Sequence, residues 1–152
     1  MANPTPPGWT RISSALFYDD PRAALDFLAK AFGFVTRVCV TDGDGAVVHA
    51  EMELGEGVIQ VGPTYPDQGR VSPRSTGGAC TQSVMVFVGD VDAHFARARA
   101  AGAEIHMPLE NKEYGDRSYG ARDCEGHLWW FTQRVDESAW VRSTEPYRVP
   151  RG

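Results

Sequence analysis

The chain has 152 residues, 15 of them basic and 20 acidic, a formal charge of −5 and no Lys/Arg run able to track phosphates, which argues against a nucleic-acid partner. No apolar stretch approaches the roughly 20 residues that a membrane-spanning helix needs, and the start MANPTPPGW has neither a basic n-region nor an apolar h-region. A soluble, cytoplasmic protein with no membrane partner is therefore expected.

In chain order, residues 11–18 (RISSALFY) alternate as a strand, and Asp20-Pro21 supplies an N-cap followed by proline at the first helical position. The helix carries an apolar stripe of Ala24, Leu25, Leu28 and Phe32 and ends at Gly33. FVTRVCVT, AVVHAEMEL and VIQVG then read as three strands separated by the turns Asp42-Gly43-Asp44-Gly45 and Gly55-Glu56-Gly57. Residues 63–78 are rich in Pro, Gly and Ser without apolar periodicity and read as a linker or mobile loop. The order then repeats: TQSVMVFVG as a strand, Asp90 capping the helix VDAHFARARAAG, and AEIHM, RSYGARD and LWWFT as strands. Cys39, Cys80 and Cys124, odd in number and far apart, fit reduced thiols.

Sliding the sequence by 70 residues places Asp20 on Asp90, Phe17 on Phe87 and the strand GVIQV on HLWWF, which suggests an internal duplication. The implied fold class is α+β, two β-α-β-β-β modules at 10–62 and 79–133, with the linker at 63–78 and a tail at 134–152 that packs across the body or a partner subunit. Strand alternation assigns faces. The helix side receives Ile12, Leu16 and Tyr18; Val48, Ala50, Met52 and Leu54; Ile59 and Val61; Val84, Val86 and Val88; and Trp129 and Phe131. The opposite side receives Ser13, Phe17, His49, Glu51, Gln60, Ser83, Met85, Phe87 and Trp130, with Arg117 and Tyr119 placed nearer its rim. Two curved sheets sharing that side would form an aromatic-lined cavity suited to a small molecule.

The stretches DPRAALDFLAKAFGF (20–34), DVDAHFARARAAGA (90–103) and DCEGHLWWF (123–131) resemble the vicinal oxygen chelate superfamily, which holds glyoxalase I, extradiol dioxygenases and bleomycin-resistance proteins. The resemblance covers about residues 10–133 and implies two β-α-β-β-β modules forming a cupped mixed sheet around a ligand cavity. In metal-dependent members a His or Gln on the first strand of each module and a Glu on the last bind a divalent ion. The corresponding positions are Ser13, Ser83, Gln60 and Trp130, three of which are not ordinary ligands of such an ion. The resemblance is thus to the metal-free binding members, and no metal and no cofactor are expected.

Two function classes remain. One is a metal-independent binding protein that holds a planar or amphipathic ligand through Ser13, Phe17, Gln60, Ser83, Phe87, Arg117, Tyr119 and Trp130, with Trp130 as the stacking platform. The other is a glyoxalase-like lyase or isomerase using His49 and Glu51, two apart on one strand face, as acid-base groups or metal ligands, with Gln60 beside them. Each residue also has a plainer reading: Trp130 as sheet packing, His49 and Glu51 as a solvated pair, and the Glu110–Tyr119 segment with Asp116 and Arg117 as an internal salt-bridge knot rather than an anion-binding rim. His94 and His106 read as surface groups, and His127 as a partner for local backbone. A homodimer, packed or exchanging modules through the linker, is expected.

Overall fold

The structure is a computed structural model that describes residues 4–139. The tail positions Trp140 and Tyr147 lie outside the described residues. Each half builds β-α-β-β-β. The first has β1 (Ser14–Tyr18), α1 (Pro21–Phe27) continued by a π-helical turn (Leu28–Phe32), β2 (Val35–Thr41), β3 (Val47–Leu54) and β4 (Gly57–Pro63). The second has β5 (Ser83–Phe87), α2 (Val91–Ala100), β6 (Glu104–Asn111), β7 (Asp116–Arg122) and β8 (Leu128–Arg134). Two four-stranded mixed sheets result, in the orders β1-β4-β3-β2 and β5-β8-β7-β6, and the fold class is α+β. In each sheet the first strand runs parallel to the last, and the other pairs are antiparallel.

The caps form as the sequence dictates. Asp20 accepts from the Ala23 amide and Asp90 from the Ala93 amide, each satisfying a first-turn N–H that the helix leaves open. Gly33 closes the π turn at φ 83°, a left-handed conformation that residues with a Cβ avoid. The Ala24, Leu25, Leu28 and Phe32 stripe is buried against Leu16, Tyr18, Ala50, Met52, Ile59 and Val61 of the first sheet.

Phe32 also reaches the second sheet, where it packs on Trp129 and Phe131, while Phe34 meets Trp129 edge-on. The first module's helix and the second module's sheet thus share one core, joined by α2 against the π turn. Trp129 is fully buried there, on the helix face, and Trp130 takes the opposite face, as strand alternation requires.

Two expected faces differ. Val47, not Val48, is buried, because a register irregularity between Val40 and Thr41 leaves Val48 without a β2 partner and half-exposed. Ile12 lies before β1 begins and is 87% exposed. Residues 63–78, expected to be a linker or mobile loop, connect β4 to β5 and carry local structure. They contain 3-10 turns at Pro66–Gln68 and Pro73–Thr76, a Tyr65–Arg70 bridge and a fully buried Ser72.

Candidate functional site

The turn Asp123-Cys124-Glu125-Gly126-His127 ties the modules together. Asp123 Oδ1 accepts from the amides of Glu125, Gly126 and His127, an Asx-type turn closed by Gly126 at φ 97°. Its Oδ2 accepts from the Tyr18 hydroxyl at 2.6 Å and from Trp129 Nε1 at 3.0 Å. Glu125 accepts from the amides of Asp19 and Asp20, from Ser72 Oγ at 2.5 Å and from Arg74. Burial alone would raise the Glu125 carboxyl, but these donors outweigh it and hold it below the ordinary carboxylate range. His127 Nε2 lies 2.8 Å from the Phe17 carbonyl, a partner 110 residues away and not the local backbone. Burial pushes the neighbouring Cys124 thiol up to about 12, which leaves it unreactive.

The clamp orients β8 so that Trp130 projects from the open face of the second sheet. There Trp130 pairs laterally with Met85 on β5 and Gly120 on β7. Met85 and Phe87 are 55% and 60% exposed on the same face, an unusual amount of apolar surface to leave in water. The His106 ring stands edge-on to Trp130, 5.3 Å between centroids and 84° between planes.

On the open face of the first sheet, Phe17, Val48, His49, Gln60, Tyr65 and Arg70 line a cavity of about 140 Å³ that includes no residue of the second module. Arg70 lies over the Phe17 ring. His49 Nε2 approaches Glu51 Oε1 at 3.4 Å, and Glu51 Oε2 accepts from Arg37 Nε at 2.8 Å. Desolvation opposes ionisation of Glu51, yet the hydrogen bonds from Arg37 and His49 prevail and lower its pKa. A larger groove of about 1000 Å³ follows the free edge of β5 and brings Ser13, Ser83, Met85, Phe87 and His94 together.

The ten candidates therefore fall in four places: Ser13 and Ser83 along the groove; Phe17, Gln60, His49 and Glu51 on the first open face; Trp130 and Phe87 on the second, where Phe87 also borders the groove; and Arg117 and Tyr119 elsewhere. The last two are corrections. Tyr119 pairs with Phe131, so its side chain points to the helix face, where it is fully buried and stacked on that ring. Its hydroxyl is pushed up by burial and lies 2.7 Å from His94 Nδ1. Arg117 shares that face and grips Asp92 of α2 through Nε and Nη2 at 2.9 and 2.8 Å, with Asn111 on Nη1. Arg134 Nε holds Asp116 at 2.9 Å, so the segment is a salt-bridge knot. His94 is not a surface group either: it bridges Tyr119 and the Phe32 carbonyl between the modules, and burial lowers its pKa.

A family model described as the Glyoxalase/Bleomycin resistance protein/Dioxygenase superfamily matches residues 11–131. The chain belongs to this superfamily. An uncharacterised protein of Mycobacterium bovis is 35% identical over 129 residues, 83% of this chain and 84% of that one. Among solved structures, TioX from Micromonospora sp. ML1 is 40% identical with a TM-score of 0.65, over 82% of this chain and 95% of that one. TnmS3 from Streptomyces sp. CB03234, described as an antibiotic binding protein, shares the fold at 17% identity and a TM-score of 0.62, over 83% of this chain and 97% of that one.

The superfamily's divalent ion does not fit the residues present. Ser13 Oγ already donates to the Val58 carbonyl at 2.9 Å, and Trp130 offers an indole with no lone pair to donate. Among the described residues no three His, Cys, Asp or Glu side chains gather as a ligand set, and no helix is long and apolar enough to cross a membrane.

Sequence reasoning missed His106 and Gly120 on the second face and Ser72 and Glu125 in the clamp. The motif around Asp123 was visible, but its partners are distant in sequence and no local signal names them.

Proposed function

We propose that this cytoplasmic protein binds a planar, amphipathic small molecule without a metal, acting as a homodimer in which the second open face of one chain closes over the first open face of the other. The observation that carries this reading is the apolar row Met85, Trp130 and Phe87 on one sheet face, with Met85 and Phe87 exposed and Trp130 half-buried. Rigid aromatics of this kind present a large contact area at little conformational cost. TnmS3, described as an antibiotic binding protein, is in keeping with a small-molecule ligand. The absence of His, Gln or Glu from positions 13, 83 and 130 supports metal independence. A partner is needed because the Phe17, His49 and Gln60 cavity contains nothing from the second module of its own chain. Ser72 and Arg74 hold the connecting segment onto Glu125, which favours packing of intact chains over exchange of modules.

Titration with the planar probes 9-fluorenone and proflavine should quench tryptophan emission, and Trp130→Ala should weaken binding about tenfold or more through loss of stacking and buried area. Unchanged affinity in that variant refutes the site. Sedimentation of a monomer at high micromolar protein refutes the closed dimer.

The His49–Glu51 contact favours a second reading, a lyase or isomerase that moves a proton. Arg37 keeps Glu51 ionised, so the carboxylate would orient the imidazole and His49 would be the base. Exchange of α-carbonyl protons into D2O that is lost in His49→Gln would establish it.

A further inference from the structure

The two sheets carry the same device with different contents. In the first, Thr36 pairs with Met52 and Val38 with Glu51, so Arg37 is an extra residue in β2, a bulge. In the second, Ile105 pairs with Ala121 and Met107 with Gly120, so His106 is the extra residue in β6. Bulges re-aim side chains and recur beside functional sites. Across the open faces, Ala15–Gln60–Glu51 in the first sheet corresponds to Met85–Trp130–Gly120 in the second. Arg37 reaches over its third strand to Glu51, and the pair is complete. His106 reaches over Gly120, where the equivalent carboxylate is missing.

Gly120 is a cradle for the ring. A Cβ there would stand 2.6 Å from both Cε1 and Nε2 of His106, so any other residue would displace the imidazole. Nε2 is thereby covered and has no hydrogen-bond partner among the described residues, and Nδ1 is not among the buried side-chain atoms left without one. Desolvation, aided by the Arg122 charge and opposed by Glu104, lowers the His106 pKa, so the ring is neutral at neutral pH. A buried N–H without an acceptor is rarer than a buried bare acceptor, which puts the single proton on Nδ1.

We propose that His106 is the specificity-determining residue of the second open face: standing at a right angle to Trp130, it donates a hydrogen bond from Nδ1 to an oxygen at the rim of a planar ligand stacked on the indole. The inference rests on the small-molecule reading above and narrows it to flat aromatics bearing a carbonyl or similar acceptor. Trp130 supplies affinity for any flat ring, and His106 selects among them.

The matched probes are 9-fluorenone and fluorene, which differ in the rim carbonyl, titrated against the full chain by tryptophan quenching. One net hydrogen bond corresponds to a preference for fluorenone of about fivefold to tenfold in the wild type. His106→Phe keeps the ring on Gly120 and removes the donor, so it should bind both probes alike, at about the wild-type affinity for fluorene. Gly120→Ala should also abolish the preference by lifting the ring, with circular dichroism confirming that the variant is folded. Equal binding of both probes to the wild type, or a preference that persists in His106→Phe, overturns the role of His106 and leaves the small-molecule reading intact. Failure of both probes to bind the wild type rejects the planar-ligand reading and the inference together.

Discussion

Replacing Asp123 by Asn is the most informative single perturbation of the fold, because it is nearly isosteric and alters only the hydrogen-bond inventory. The native carboxylate accepts five bonds, three from amides and two from side chains, and is buried. An asparagine oxygen would stay with the three amides, placing its NH2 group against the Tyr18 hydroxyl and Trp129 Nε1. The hydroxyl can rotate and accept, but an indole N–H only donates, so Trp129 is left with a buried, unpaired donor at about 1–3 kcal/mol. Loss of charge assistance in the remaining bonds brings the expected total to about 3–5 kcal/mol. Tyr18→Phe removes one donor from a carboxylate that keeps four others and should cost about 1–2 kcal/mol. Urea unfolding followed by far-UV circular dichroism measures both, and the double variant should fall short of the sum because the groups are in direct contact. An Asn variant within about 1 kcal/mol of wild type, or additive losses, would show that the 123–127 turn does not hold the modules as described.

Trp129→Ala should destabilise the protein by about 3–5 kcal/mol, whereas Trp130→Ala should change stability by under about 1 kcal/mol; the reverse order in urea melts would mean that β8 is shifted by one residue. Glu125 has a depressed pKa in the folded state, so its stabilisation is complete above the ordinary carboxylate pKa and is lost as pH falls through the depressed value. The thermal midpoint of wild type should therefore drop more steeply in acid than that of Glu125→Gln, and parallel slopes refute the claim. His94 is also lowered, but as a base: the folded state disfavours its protonation, so stability declines as pH falls below the unfolded histidine value of about 6.5. His94→Gln should flatten the stability profile between about pH 7 and 5, measured by urea midpoints, and an unchanged slope counts against the buried bridge to Tyr119.

Most of the secondary structure was legible because it depends on near neighbours. An aspartate before Pro21 caps a helix wherever it occurs, and Gly33 stops one because only glycine is at ease at a positive φ. Alternation separated Trp129 from Trp130 without knowledge of what lies on either side. Arg117 and Tyr119 were misplaced because β7 carries a polar and an aromatic residue on its helix face, where α2 supplies Asp92 and His94 as partners.

Contacts between distant residues decided the rest. Nothing in the sequence around Glu125 pointed to Ser72, Asp19 and Asp20 as its partners, and His106 looked like a surface group until a bulge in β6 laid it over Gly120. A bulge is a property of the pairing between two strands, so neither strand's own sequence reveals which residue is the extra one. The local chain thus determined which elements form and which face of each is apolar, through dihedral preference and hydrophobic periodicity. Tertiary structure alone decided which polar groups are paired and which are left unpaired, because a partner can satisfy a donor only once the fold has brought it within hydrogen-bonding distance.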